Sequence, residues 1–151
     1  MSDWLVELSI EQVFTFEQAD IMRKIRNDCR NGYSNFNGMI SKNDQRKWWK
    51  KNKDKVTAFL FFDRKTGKRV AFAMLALKED GKYWMTNGVE PEFRGRGYGK
   101  ATATYIASKG NEVYSQALKS NLPAIKEHTS QLWQVIGEDN NIVKFLYRGG
   151  H

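Results

Sequence analysis

Cross-links and soft metal ligands are scarce in this sequence, whose 151 residues include one cysteine and two histidines. A single thiol cannot close an intramolecular disulfide, and three such side chains are too few for a structural zinc cluster. A secreted disulfide scaffold and a zinc module are therefore excluded. The longest unbroken apolar run, Val70 to Leu77, is far shorter than the ~20 residues that span a bilayer. The first residues, Met1 to Glu7, lack a basic n-region and place acids where a signal peptide is apolar. The expectation is a reduced, soluble, cytoplasmic protein with no membrane partner. Proline is nearly missing as well: Pro91 and Pro123 stand alone, and no repeat or low-complexity linker separates them. One domain over residues 1–151 is expected, long enough to bury a core of its own.

Positive charge, by contrast, is in surplus, with a formal net charge of +8. It is unevenly placed. Arg46 to Lys55 holds six positive residues and one negative, Arg64 to Arg69 holds four positive, and Arg94 to Lys100 holds three among glycines. Basicity of this kind suits nucleic acid, whose phosphates it neutralises, or a small polyanion such as a nucleotide cofactor. The middle cluster reads as a solvated hairpin turn.

The pattern along the chain predicts an α+β fold. Trp4 to Ile10 alternates as a first strand. Thr15 to Gln18 has the form of a capping box opening a helix that carries Met22, Ile25 and Cys29 on one face and stops near Asn31-Gly32. Ser41 to Asp44 opens a second helix containing Trp48 and Trp49. Val56–Asp63, Val70–Leu77 and Tyr83–Val89 form a meander of three strands. A helix over Tyr98–Lys109, a strand over Val113–Leu118, a helix from Asn121 to Leu132 and two strands within Trp133–Tyr147 complete the chain. About four helices thus flank a mixed, mostly antiparallel sheet.

The stretch with chemical content is Asn87-Gly-Val-Glu-Pro-Glu-Phe-Arg94-Gly95-Arg96-Gly97-Tyr98-Gly99-Lys100, between a predicted strand and a predicted helix. Glycines at alternate positions let backbone amides converge, and the helix start adds its positive dipole end, so the segment is built to hold phosphate. It is not a P-loop, because three residues rather than four separate Gly95 from Gly99, and Ala101 stands where a hydroxyl belongs. Nor is it a dinucleotide fingerprint, since Lys100 occupies the position of the last glycine.

Arg94-Gly-Arg-Gly97-Tyr-Gly99, preceded by Val89-Glu-Pro91, resembles the pyrophosphate loop of the GCN5-related N-acetyltransferases, and the order of elements agrees over nearly the whole chain. That family carries, further on, an Asn, an Ala three later, a Tyr four beyond and a Gly-Phe pair. Asn121 and Ala124 match; His128 stands at the Tyr position, Leu132 at the Gly position and Trp133 at the Phe position.

The resemblance implies acetyl-coenzyme A as cosubstrate, with no metal, held by Val89, the Arg94–Lys100 loop and Asn121. It implies splayed middle strands that admit the pantetheine arm, with the Val89 N–H facing the thioester carbonyl as an oxyanion donor. Asn87-Gly88 is a candidate β-bulge that would aim it. His128, in place of the family's tyrosine acid, is the candidate acid for the leaving thiolate; a water is the alternative. For the base, Glu79 and Tyr83 are candidates, with Glu90, Thr86, Tyr114 and a water chain open beside them. An amine acceptor is expected near Arg26, Trp48 and Trp49, and the basic Arg46–Lys55 stretch suits an anionic one: a nucleotide sugar, a protein N-terminus or nucleic acid. A nucleic-acid-binding or base-modifying protein on the same fold is the competing expectation. A monomer and a homodimer are equally compatible with the sequence.

Overall fold

The computed structural model describes residues 7–30, 38–129 and 133–148. In chain order the elements are β1 (Leu8–Gln12), α1 (Phe16–Asp28), α2 (Lys42–Asn52), β2 (Val56–Asp63), β3 (Arg69–Leu77), β4 (Tyr83–Val89), α3 (Tyr98–Ala107), β5 (Glu112–Leu118), α4 (Leu122–Thr129), β6 (Trp133–Glu138) and β7 (Ile142–Arg148). This is the sequence of strands and helices expected. Among the described residues, seven strands form one sheet in the order β1-β2-β3-β4-β5-β7-β6. Every pairing is antiparallel except β4–β5, which is parallel.

The first strand departs from expectation. It runs to Gln12 because Leu8 to Gln12 pair with Asp63 to Phe59 of β2, so the backbone ladder, rather than side-chain alternation, sets its end. The predicted strand start at Trp4, the predicted helix stop at Asn31-Gly32, and the helix end and motif position at Leu132 lie outside the described residues.

Helix α1 starts where the capping box places it. The Thr15 Oγ1 accepts from the Gln18 N–H at 3.1 Å, and the Gln18 Oε1 accepts from the Thr15 N–H at 3.1 Å. Thr15→Ala removes the first of these and is expected to cost about 1 kcal/mol, read as a lower denaturant midpoint at unchanged slope.

Two cores sit on opposite faces of the sheet. On one face Ala71, Ala73, Leu75 and Met85 pack with Tyr98, Ala103, Ile106 and Ala107 of α3. On the other, Leu60, Phe72 and Met74 pack with Met22 and Ile25 of α1 and Trp49 of α2. The period-two alternation along β3 and β4 thus assigns each strand residue to one of the two layers.

Candidate active site

The site begins as a failure of pairing. Strands β4 and β5 match only at Tyr83↔Val113 and Trp84↔Tyr114, and beyond that they diverge into a slot. Its β4 edge can be read from the register with β3. The Glu90 N–H donates to the Val70 carbonyl at 2.8 Å, and Ala71 stands opposite Val89. In an antiparallel ladder the hydrogen-bonded pairs then include Gly88 and Thr86, while the amides of Met85, Asn87 and Val89 point the other way, toward β5. The register is regular from Ala71↔Val89 to Leu77↔Tyr83, so the expected bulge at Asn87-Gly88 is absent. No bulge is needed, because parity alone turns the Val89 N–H into the slot.

A cavity of about 720 Å³ occupies this slot and passes from one face of the sheet to the other. Thr86 lines it on the α1–α2 side, and Asn87, Ser115, Asn121 and His128 line it on the α3–α4 side. Lys51, Lys55 and Lys78 stand at the rim, with Glu79 beside them. A second cavity of about 330 Å³ adjoins it between α1, α2 and the sheet, and Thr86 and Lys78 line both.

The loop after β4 presents the phosphate-binding features at the end of the slot. Gly95 and Gly97 have φ of +80° and +84°, the left-handed region that glycine enters without penalty. Gly97 is the N-cap of α3, so the free amides of that helix open onto the loop. Asn87 Nδ2 donates to the Gly99 carbonyl at 3.2 Å and to Thr102 Oγ1 at 3.3 Å, fixing the first turn of α3 to β4. Lys100 is exposed on that turn. Arg96 lies over the Phe93 ring, 5.2 Å from its centroid. Arg94 is turned back onto the strand: its Nε donates to the Val89 carbonyl at 3.0 Å, and its Nη2 to Cys29 Sγ at 3.4 Å. Burial pushes the Cys29 thiol pKa up, which keeps it a neutral donor to the same Val89 carbonyl at 3.2 Å.

Several expected site residues are placed elsewhere. The Tyr98 side chain is buried in the core and its hydroxyl donates to Glu7, so only its backbone can meet a ligand in the loop. Trp49 is core, 4% exposed; Trp48 and Arg26 line the second cavity instead. Tyr83 sits at the closed end of the slot, where β4 still pairs with β5, exposed and outside both cavities. Tyr114 is also outside them, packed on Trp84.

His128 is buried rather than on the surface of its helix, stacked on Phe145 at 4.4 Å. Its Nδ1 lies 2.7 Å from the Ala124 carbonyl and its Nε2 3.1 Å from Ser115 Oγ. A carbonyl only accepts, so Nδ1 carries the proton and Nε2 accepts from the Ser115 hydroxyl in the neutral ring. Desolvation lowers the pKa of the ring, which favours that neutral state near pH 7. A strand serine has no distinctive spacing, so the sequence carries no signal for Ser115.

Glu90 lies outside both cavities. Its carboxylate accepts from Arg69 Nε at 2.8 Å. Burial first, and the neighbouring Asp28 carboxyl second, push its pKa up to about 7 against the opposing pull of Arg69. The folded state therefore holds a proton that the unfolded chain releases near pH 4.5. This contribution is complete below that pH and is lost as the pH rises through about 7. Glu90→Gln should accordingly gain melting temperature relative to wild type between pH 5 and pH 8, read by thermal unfolding across that range. An unchanged difference contradicts the assignment.

Among the described residues no group of three or more His, Cys, Asp or Glu side chains could hold a metal ion, and no helix is long and apolar enough to cross a membrane. No curated protein sequence matches the chain significantly. Solved structures do. A phosphinothricin acetyltransferase from Sinorhizobium meliloti in complex with acetyl-CoA superposes with a TM-score of 0.77 at 10% identity, covering 94% of this chain and 88% of that one. The ribosomal-protein-alanine N-acetyltransferase from Brucella melitensis gives 0.74 at 14% identity, covering 93% and 99%. The spermidine N-acetyltransferase from Vibrio cholerae, in complex with CoA and spermine, gives 0.73 at 11% identity, covering 95% and 96%. At such identities the likeness establishes the fold. A family model carries the rest: that of the acetyltransferase (GNAT) family matches residues 20–132, and the chain belongs to that family.

Proposed function

We propose that the chain is one acyltransferase domain that moves the acetyl group of acetyl-CoA to a primary amine by direct attack, and that its acceptor carries negative charge. The observation that carries the reading is the slot itself, an unpaired β4 edge that ends in a glycine loop at the N-terminus of α3. The slot amides of Asn87 and Val89 suit the pantetheine arm and the thioester carbonyl, replacing the strand partner that β5 withholds. The pyrophosphate suits the Gly95–Gly99 amides, with Arg96 and Lys100 supplying charge and Asn121 bordering the arm.

The nitrogen lone pair attacks the carbonyl carbon, and the charge on its oxygen is met by a slot N–H already in place. The tetrahedral adduct must then lose a proton from nitrogen and supply one to sulfur as the C–S bond breaks. His128 suits both transfers. Its neutral Nε2 takes the proton through the Ser115 hydroxyl, and the resulting imidazolium, made more acidic by burial, gives it to a thiolate whose ordinary pKa is about 8.5. Glu79 at the rim suits removal of the proton from the incoming ammonium.

The negative acceptor is favoured by Lys51, Lys55 and Lys78 around the mouth. Nucleic acid is the weaker reading, since burial of Trp49 leaves the basic stretch with one aromatic rather than a stacking platform. Acetyl-CoA binding tests the proposal. Ligand at 100 times its dissociation constant should stabilise the protein by ~2.7 kcal/mol. An unchanged melting temperature at millimolar acetyl-CoA, with salt-sensitive oligonucleotide binding in its place, would overturn it.

A further inference from the structure

The second cavity has a composition that selects among amines. Its floor is the sheet, Phe72 and Met74 of β3 with Thr86 of β4, and α1 adds Met22. These give it a flexible, mostly apolar lining of the kind that holds a small ligand body. Its charges are few and unequal. Arg26 and Lys78 line it against a single acid, Asp44, among the described residues.

The placement of Arg26 matters more than the count. Met22 and Arg26 share one face of α1 at i, i+4. Cys29, at the C-terminal end of the same helix, touches the Val89 carbonyl. Arg26 thus precedes that contact by about one turn on α1, and Thr86, which lines both cavities, marks the passage between them. A cation lining the cavity that adjoins the slot fits an acceptor whose anionic group is attached next to the incoming amine. It opposes a polyamine, whose second positive charge would meet Arg26.

We propose that the acceptor is a free α-amino acid with an unbranched or aromatic apolar side chain. Its carboxylate is held by Arg26, its side chain lies on Met22, Phe72 and Met74, and its amino group is presented past Thr86 to the slot. This rests on the N-acetyltransferase reading and narrows its acceptor.

The test compares amines that differ only by the carboxylate. L-Methionine and L-phenylalanine are assayed beside 3-(methylthio)propylamine and phenethylamine, with spermidine as the polycation, by thiol release from acetyl-CoA and by product mass. Each amino acid is expected to exceed its decarboxylated partner by at least about tenfold in kcat/KM, as for loss of a charged hydrogen bond. Arg26→Gln should shrink that ratio toward one by raising the amino-acid KM, and Arg26→Lys should restore part of it. Equal turnover of the paired amines, or preference for spermidine, overturns the inference and leaves the acetyltransferase reading standing. Absence of turnover on every amine, with acetyl-CoA still bound, also overturns it. Absence of both turnover and acetyl-CoA binding removes the underlying reading too. The wild-type comparison decides the matter even if the variants fold poorly.

Discussion

Gly97→Val is expected to weaken acetyl-CoA binding at least about tenfold. Gly97 has φ of +84° and nothing within 4 Å of an added Cβ, so the penalty is conformational rather than steric. Holding a β-branched residue there costs roughly 1–2 kcal/mol. Relaxing out of it turns the adjoining amides away from the phosphate and forfeits a charge-assisted hydrogen bond worth about 1.5–3 kcal/mol. These are alternatives rather than a sum, and the smaller of them, about 1.5 kcal/mol, corresponds to about one order of magnitude in affinity. Gly67→Val is the matched control, because Gly67 has φ of +73° and equally open surroundings but lies in the β2–β3 turn rather than at the N-terminus of α3. Both variants should lose similar stability by thermal unfolding, while only Gly97→Val loses affinity by calorimetry. Equal affinity in the two would remove the loop from coenzyme binding.

His128→Ala and Ser115→Ala are each expected to lower kcat by roughly 10² to 10⁴, the usual span for losing a positioned acid or base, with little change in the KM for acetyl-CoA. Matching losses are the signature of a relay, since both residues sit on one hydrogen bond and removing either breaks it. Stability separates the two. His128→Ala also forfeits the Ala124 bond and the stack on Phe145, costing about 2–4 kcal/mol, whereas Ser115→Ala removes one hydroxyl. The wild-type rate should fall at acid pH, below the ordinary histidine value of about 6.5, because burial lowers the pKa and only the neutral ring accepts a proton. Folding stability follows the same sign: the contribution of His128 is held above about pH 6.5 and lost as the pH falls through the depressed value. A Ser115→Ala enzyme within a few fold of wild type would exclude the relay.

The sequence disclosed more of the fold than of the site. Thr15-x-x-Gln18 and the Ser41 start are local signals, encoded within four residues, and both caps form as read. The glycine loop was legible for the same reason, its geometry being written in adjacent residues. What escaped is set by pairing at long range. The ladder with β2 fixed the extent of β1. The parity of β4 against β3 turns the Val89 amide into the slot and made a bulge at Gly88 unnecessary. Trp48 and Trp49 look alike in sequence, yet α2 buries one in the core and sets the other against the second cavity. Ser115 meets His128 only because the fold brings β5 and α4 together. Arg94 reads as a phosphate ligand from its motif, while the fold seats it on the Val89 carbonyl, a contact between residues whose relation depends on the turn between them.

The acetyl transfer itself is the most direct test. Purified protein incubated with acetyl-CoA and a mixture of primary amines, then resolved by mass spectrometry, should yield an N-acetylated amine in equal amount to the coenzyme thiol released, and Gly97→Val should lose both together at limiting acetyl-CoA. Release of thiol without an acetylated amine, or no transfer by a protein that is folded and saturated with acetyl-CoA, would contradict the account.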